Sequence, residues 1–164
     1  MSWADVSGFL ALNWGNVASV LGLAVSLVTL AVASKAREAA EAARAIARRQ
    51  SLTEVLQDAV RKNEQVGLFL SQRKWDIVWL RAQETANAAS LGLARWPQEF
   101  SIDSKDNLLR GQQLATSIAG VALRAAGEGP TPREIARISQ AQGRVAQLLT
   151  AELGESLRRG EGGS

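Results

Sequence analysis

From Val17 to Ser34 the chain runs for eighteen residues without a charge, then turns into a basic, alanine-heavy stretch. No ionisable side chain lies between Asp5 and Lys35. As a helix rising about 1.5 Å per residue, such a run covers roughly 27 Å, close to a hydrocarbon core of about 30 Å. Trp14 stands before it and Lys35 and Arg37 behind it, where interface anchors belong. The pattern predicts a transmembrane helix with a basic juxtamembrane extension over residues 16–50. Ser19, Ser26 and Thr29 soften the hydropathy, but such hydroxyls bond back to their own helix.

Two other readings compete. Ala31-Val32-Ala33 before Ser34 has the A-x-A form of a signal-peptide cleavage site. A secretory leader carries its positive charges ahead of the apolar run, whereas here they follow it. A buried core helix would not need flanks of this kind. The basic cluster Lys35, Arg37, Arg44, Arg48 and Arg49, against Glu38 and Glu41, also sets orientation. Lys and Arg next to a span hold that side in the cytoplasm, and each attracts anionic headgroups by about 1 kcal/mol near the surface. The sequence thus predicts a single pass through an inner (plasma) membrane, amino terminus outside and carboxyl terminus cytoplasmic. Residues 1–15 read as a short interfacial segment anchored by Trp3 and Trp14, with Gly15 and Asn16 as its joint to the span.

Within the span Gly15, Ser19, Gly22, Ser26, Thr29 and Ala33 step by 4, 3, 4, 3 and 4, a seam made only of small residues. Small residues let membrane helices approach closely, and close packing holds them together where lipid removes the hydrophobic drive. The seam predicts self-association into a homo-oligomer.

Beyond Ser34 the usage is that of long helices, rich in Ala, Arg, Glu, Gln and Leu. Ser51-Leu52-Thr53-Glu54 has capping-box form and suggests a break near Gln50. A long helix over 52–96 then ends at Pro97, with Gly67 as its weak point. Leu52, Leu56, Ala59, Val66 and Leu70 form one stripe; Trp75, Trp79, Ala82, Ala86, Ala89, Leu93 and Trp96 form another. A third helix over 105–126 places Leu108, Leu109, Ala115, Ile118, Ala119 and Ala122 on one side, with Gly127 suited to the terminating left-handed position. Thr131-Pro132-Arg133-Glu134 supplies an N-cap, a first-position proline and a capping glutamate for a fourth helix over 132–158. Residues 159–164 read as a disordered tail. Helices three and four reach only about half the length of the long one. The fold class is therefore all-α: a transmembrane helix, a cytoplasmic helical stalk, and a small antiparallel three-helix bundle over about 71–158. The cytoplasmic helical domain is 51–158. The expected bundle core is Trp75, Trp79, Leu93, Trp96, Ile118, Ile135, Ile138, Val145 and Leu149, and residues 35–70 are left to pair, as in a coiled coil, with copies or a partner.

Composition removes chemistry. Cys, His and Tyr are absent, and with them thiolate nucleophiles, zinc–thiolate sites, the commonest general base and the commonest transition-metal ligand. No cofactor, no metal site and no catalytic residue is expected. Glu38/Glu41 and Asp103/Asp106 sit among Arg37, Arg44, Lys105 and Arg110, as surface ion pairs do. Trp75 and Trp79, one turn apart, suit core packing better than a ligand shelf. Net charge is +3 and the sequence pI about 9.9, but the one basic cluster lies beside the span, so no nucleic-acid partner is expected. The reading is a non-enzymatic single-pass membrane protein whose cytoplasmic helices mediate self-assembly or bind another protein. The alternative is a membrane-disrupting effector or channel component that clusters its spans.

Overall fold

The structure, a computed structural model, describes residues 3–161. It is helical throughout: α1 Trp3–Ser71, α2 Trp75–Arg95, a 3-10 turn Pro97–Glu99, α3 Ile102–Glu128 and α4 Pro132–Glu161. No strand occurs among the described residues. The chain divides into two units, Met1–Ala45 and Ile46–Ser164.

The expected joint at Gly15-Asn16 and the expected break near Gln50 are absent, because α1 runs unbroken through both. No proline interrupts it, and a capping-box sequence inside a continuing helix has no free amide to cap. The expected 52–96 helix is instead two helices, and Gly67 is not the division. The stripes explain the true one. The spacing of Val66 and Leu70, continued along a straight helix, reaches positions 73 and 77. The second stripe starts instead at Trp75, two residues and about 200° out of phase. Only a hairpin turns both stripes to one core.

That hairpin closes at Gln72-Arg73-Lys74. Lys74 N–H donates to the Phe69 carbonyl at 3.1 Å and Arg73 N–H to the Leu70 carbonyl at 3.1 Å. This is the Schellman pattern, in which the penultimate residue is left-handed. Arg73 takes that place with φ 55°, where glycine would carry no Cβ penalty. Arg73→Gly is expected to raise unfolding stability by about 1 kcal/mol, read by thermal unfolding; a lowered stability would show that the turn is not strained.

At its other end α2 stops before Pro97, and α3 begins earlier than expected. Ser101 caps it by accepting from Ser104 N–H at 3.1 Å. The left-handed residue after α3 is Gly129, φ 75°, rather than Gly127, which stays helical. The box at α4 forms as its residues require. Glu134 N–H donates to Thr131 Oγ1 at 3.2 Å, and Thr131 N–H donates back to Glu134 Oε2 at 2.9 Å. Thr131's backbone and hydroxyl bonds hold the Glu134 carboxyl below its ordinary value, and hydrogen bonds from Lys62 and then Arg61 do the same for Asp58. Both contributions are present above the unfolded carboxylate range near roughly pH 4 and are lost as pH falls through the lowered values. α4 continues to Glu161, so residues 159–161 of the expected tail are helical, and 162–164 lie outside the described residues.

The core of the Ile46–Ser164 unit draws on all four helices. Leu52, Leu56, Ala59 and Val66 are buried in it, so this part of α1 is not a stalk left for another chain. Antiparallel pairing of α1 with α4 follows from two contacts. The Thr53 and Ser156 hydroxyls share a hydrogen bond at 3.1 Å. Asn63, 1% exposed, donates from Nδ2 to the Gln142 carbonyl at 3.3 Å, while Gln142 Nε2 donates to the Asn63 carbonyl at 3.2 Å. A buried amide so satisfied penalises any other register, which would leave it unpaired. Across α3 and α4, Asn107 Nδ2 donates to the buried Glu152 at 3.0 Å.

In α2 the buried face is Trp75, Val78, Ala82, Thr85, Ala86, Ala89 and Gly92. Trp79 is 37% exposed and Leu109 of α3 45% exposed, so neither belongs to the core as expected. Small residues set the α2 face, and Val78 takes the inward position that Trp79 cannot share. Gly92 sits where a Cβ would meet Phe100 at 3.9 Å and Leu52 at 4.0 Å. Of the remaining expected core residues, Trp96, Ile118, Ile138, Val145 and Leu149 are buried, and Leu93 and Ile135 are half-buried against them.

Candidate membrane-spanning segment and basic flank

Among the described residues one helix, α1, holds a window long and apolar enough to cross a membrane by length and composition, and none of that window is buried. Away from the seam its large side chains point outward: Val20, Leu21, Leu23, Val25, Leu27, Val28, Leu30 and Val32 are 59% to 69% exposed. Apolar surface left uncovered in this way is unfavourable in water. At about 1.5–3 kcal/mol for each fully buried side chain, moving these eight into an apolar medium is worth on the order of 10 kcal/mol.

The polar atoms inside the run are settled locally. Ser26 Oγ donates to the Gly22 carbonyl at 2.8 Å, Thr29 Oγ1 to the Val25 carbonyl at 2.8 Å, and Ser34 Oγ to the Ala31 carbonyl at 2.9 Å. Hydroxyls bonded this way carry little penalty in a bilayer, where every polar group must find an internal partner. The seam positions Ser19, Gly22, Ser26, Thr29 and Ala33 are all exposed. A Cβ at Gly22 would meet nothing within 4 Å, so packing within the chain does not demand a glycine there. The side chains of Trp3 and Trp14, and the burial of Gly15, lie outside the described residues.

The basic flank divides by partner. Arg37 Nε donates to Glu41 at 2.9 Å with both side chains well exposed, a pair worth about 0.3–0.5 kcal/mol. Lys35, Arg44 and Arg48 are exposed and, among the described residues, in no ion pair. Arg49, inside the Ile46–Ser164 unit, reaches the Arg159 carbonyl at 3.4 Å, a long contact that ties it to the last turns of α4. Arg159 in turn donates to the Glu99 carbonyl and pairs with Glu155 at 2.7 Å.

Sequence reasoning missed the Asn63–Gln142 clasp, whose partners stand 79 residues apart. It also missed three arginines that line the groove between α3 and α4. The seven-residue spacing of Arg137 and Arg144 was the available sign, since it puts both on one helix face. Among the described residues no group of three or more metal-ligating side chains is present. No family model, no curated protein and no solved structure matches the chain.

Proposed function

We infer that this is a non-enzymatic, single-pass membrane protein. Val17–Ser34 is the span, the amino terminus is outside, and the helical Ile46–Ser164 unit is a cytoplasmic binding domain built as an antiparallel four-helix bundle. One observation carries the reading: eight large apolar side chains stand exposed along one helix, and exposed basic residues follow immediately after it. Lys35, Arg37, Arg44 and Arg48 meet anionic headgroups on the inner leaflet. The spans associate through the seam, so the protein works as an assembly in which the membrane concentrates several binding domains.

The seam is tested on residues 14–50 in a genetic assay of span–span association. Gly22→Leu and Ser26→Leu each raise hydropathy, so insertion is retained, yet each forces the backbones apart and forfeits close contact. Both variants are expected to lose most of the association signal, while Leu23→Ala, off the seam, keeps it. Equal signals from all three variants and the parent would reduce the segment to an anchor.

A further inference from the structure

Arg110, Arg137 and Arg144 line the groove between α3 and α4, and no acidic residue lines it with them. The groove has two adjoining parts, of about 540 Å³ and 210 Å³, which share Leu114 and Arg144. Leu148 and Val121 extend its apolar floor. All three arginines are exposed, and among the described residues none is in an ion pair.

The groove between α1 and α2 behaves differently. Glu54, Asp58 and Glu84 line it, but Asp58 already holds Arg61 at 2.7 Å and Lys62 at 2.6 Å, and Glu84 holds Arg81 at 2.7 Å. Charge on that side is mostly met within the chain. On the α3–α4 side it is not.

We propose that the α3–α4 groove binds an acidic amphipathic helix of another protein. The proposal rests on the reading of the chain as a membrane-anchored binding protein and names the class of partner. The partner's apolar stripe lies on Leu114 and Leu148, and its carboxylates meet the arginine guanidinium groups, which match carboxylate geometry with paired donors. The α4 side of the groove runs from Arg137 to Ala151, roughly 21 Å of helix and enough for a partner of about four turns. This is the helix-in-groove mode, with apolar anchors at i, i+3, i+4 and i+7. A single-stranded nucleic acid fits poorly, since no aromatic side chain lines the groove for base stacking.

The test uses the full chain in nanodiscs containing phosphatidylglycerol, with empty nanodiscs as the blank. The probe is a labelled synthetic amphipathic peptide of four turns, leucine on one face and glutamate on both flanks, compared with a twin carrying lysine for glutamate. Fluorescence anisotropy is expected to show the glutamate peptide binding at least tenfold more tightly than its twin. Arg144→Glu is expected to weaken it at least tenfold with the helical circular-dichroism signal unchanged. Should that variant unfold, Arg110→Glu, on the other wall, is expected to give the same loss. Equal binding of the two peptides, or glutamate-peptide binding indifferent to both variants, overturns the proposal. So does an RNA oligonucleotide, or a cross-linked second copy, that occupies the groove in an Arg144-dependent way. The span assay on residues 14–50 contains none of this groove, so that reading and this one fail separately.

Discussion

Replacing Leu56 with alanine is expected to lower unfolding stability by about 2–5 kcal/mol. Leu56 is 0% exposed and sits in the shared core with Leu52, Ala59 and Val66. Truncating it removes the transfer energy of its lost methyl and methylene groups and leaves a void that packed neighbours refill only in part. In a domain of this size that loss corresponds to a midpoint lowered by roughly 5–15 °C, measured by thermal unfolding followed by circular dichroism in detergent. The control is Leu68→Ala on the same helix. Leu68 is 53% exposed, and its truncation should stay within about 0.5 kcal/mol. The pair of variants distinguishes two architectures. If residues 46–70 were a stalk and the core began at Trp75, Leu56→Ala would cost no more than Leu68→Ala, and the four-helix core would be refuted.

The second large effect concerns the apolar run. Val25 and Val28 are 65% and 63% exposed and lie near the middle of the uncharged stretch. Two aspartates there, Val25→Asp with Val28→Asp, add roughly 5–7 kcal/mol to the cost of crossing a bilayer, taking about 2.5–3.5 kcal/mol for each central charge. Most of the chain is expected to leave the floating membrane fraction of a density gradient, while Val25→Leu with Val28→Leu floats as the parent does. The Thr29 hydroxyl bonds to the Val25 backbone carbonyl, so the substitutions leave that hydrogen bond in place and the readout is charge alone. A doubly acidic chain that still floats would mean that this run is not the part held in lipid.

The helical character of the chain, the uncovered apolar run and the basic flank were legible in the sequence because each depends on residues a few positions apart. A hydroxyl that bonds one turn back, as Ser26 does to Gly22, needs no tertiary partner. Nor does the Thr131–Glu134 box, which closes over three residues. The helix end at Ser71 was hidden for a local reason of another kind: an arginine, not a glycine or proline, occupies the left-handed position.

What the tertiary structure decided is which surfaces meet. The sequence shows two stripes on either side of residue 72 but not that they fold onto one another, because a straight helix and a hairpin satisfy the same local spacing. The hairpin wins because only it buries Leu52 to Val66 against Trp75 to Trp96, and α3 and α4 complete the cover. From that arrangement follow the outward turn of Trp79, the Asn63–Gln142 clasp across 79 residues, and the groove that Arg110 of α3 lines with Arg137 and Arg144 of α4. None of these contacts has a local signature, since burial and pairing energies at such separations are realised only after the chain has closed on itself. Backbone periodicity determined the helices; the competition for a shared core determined their faces.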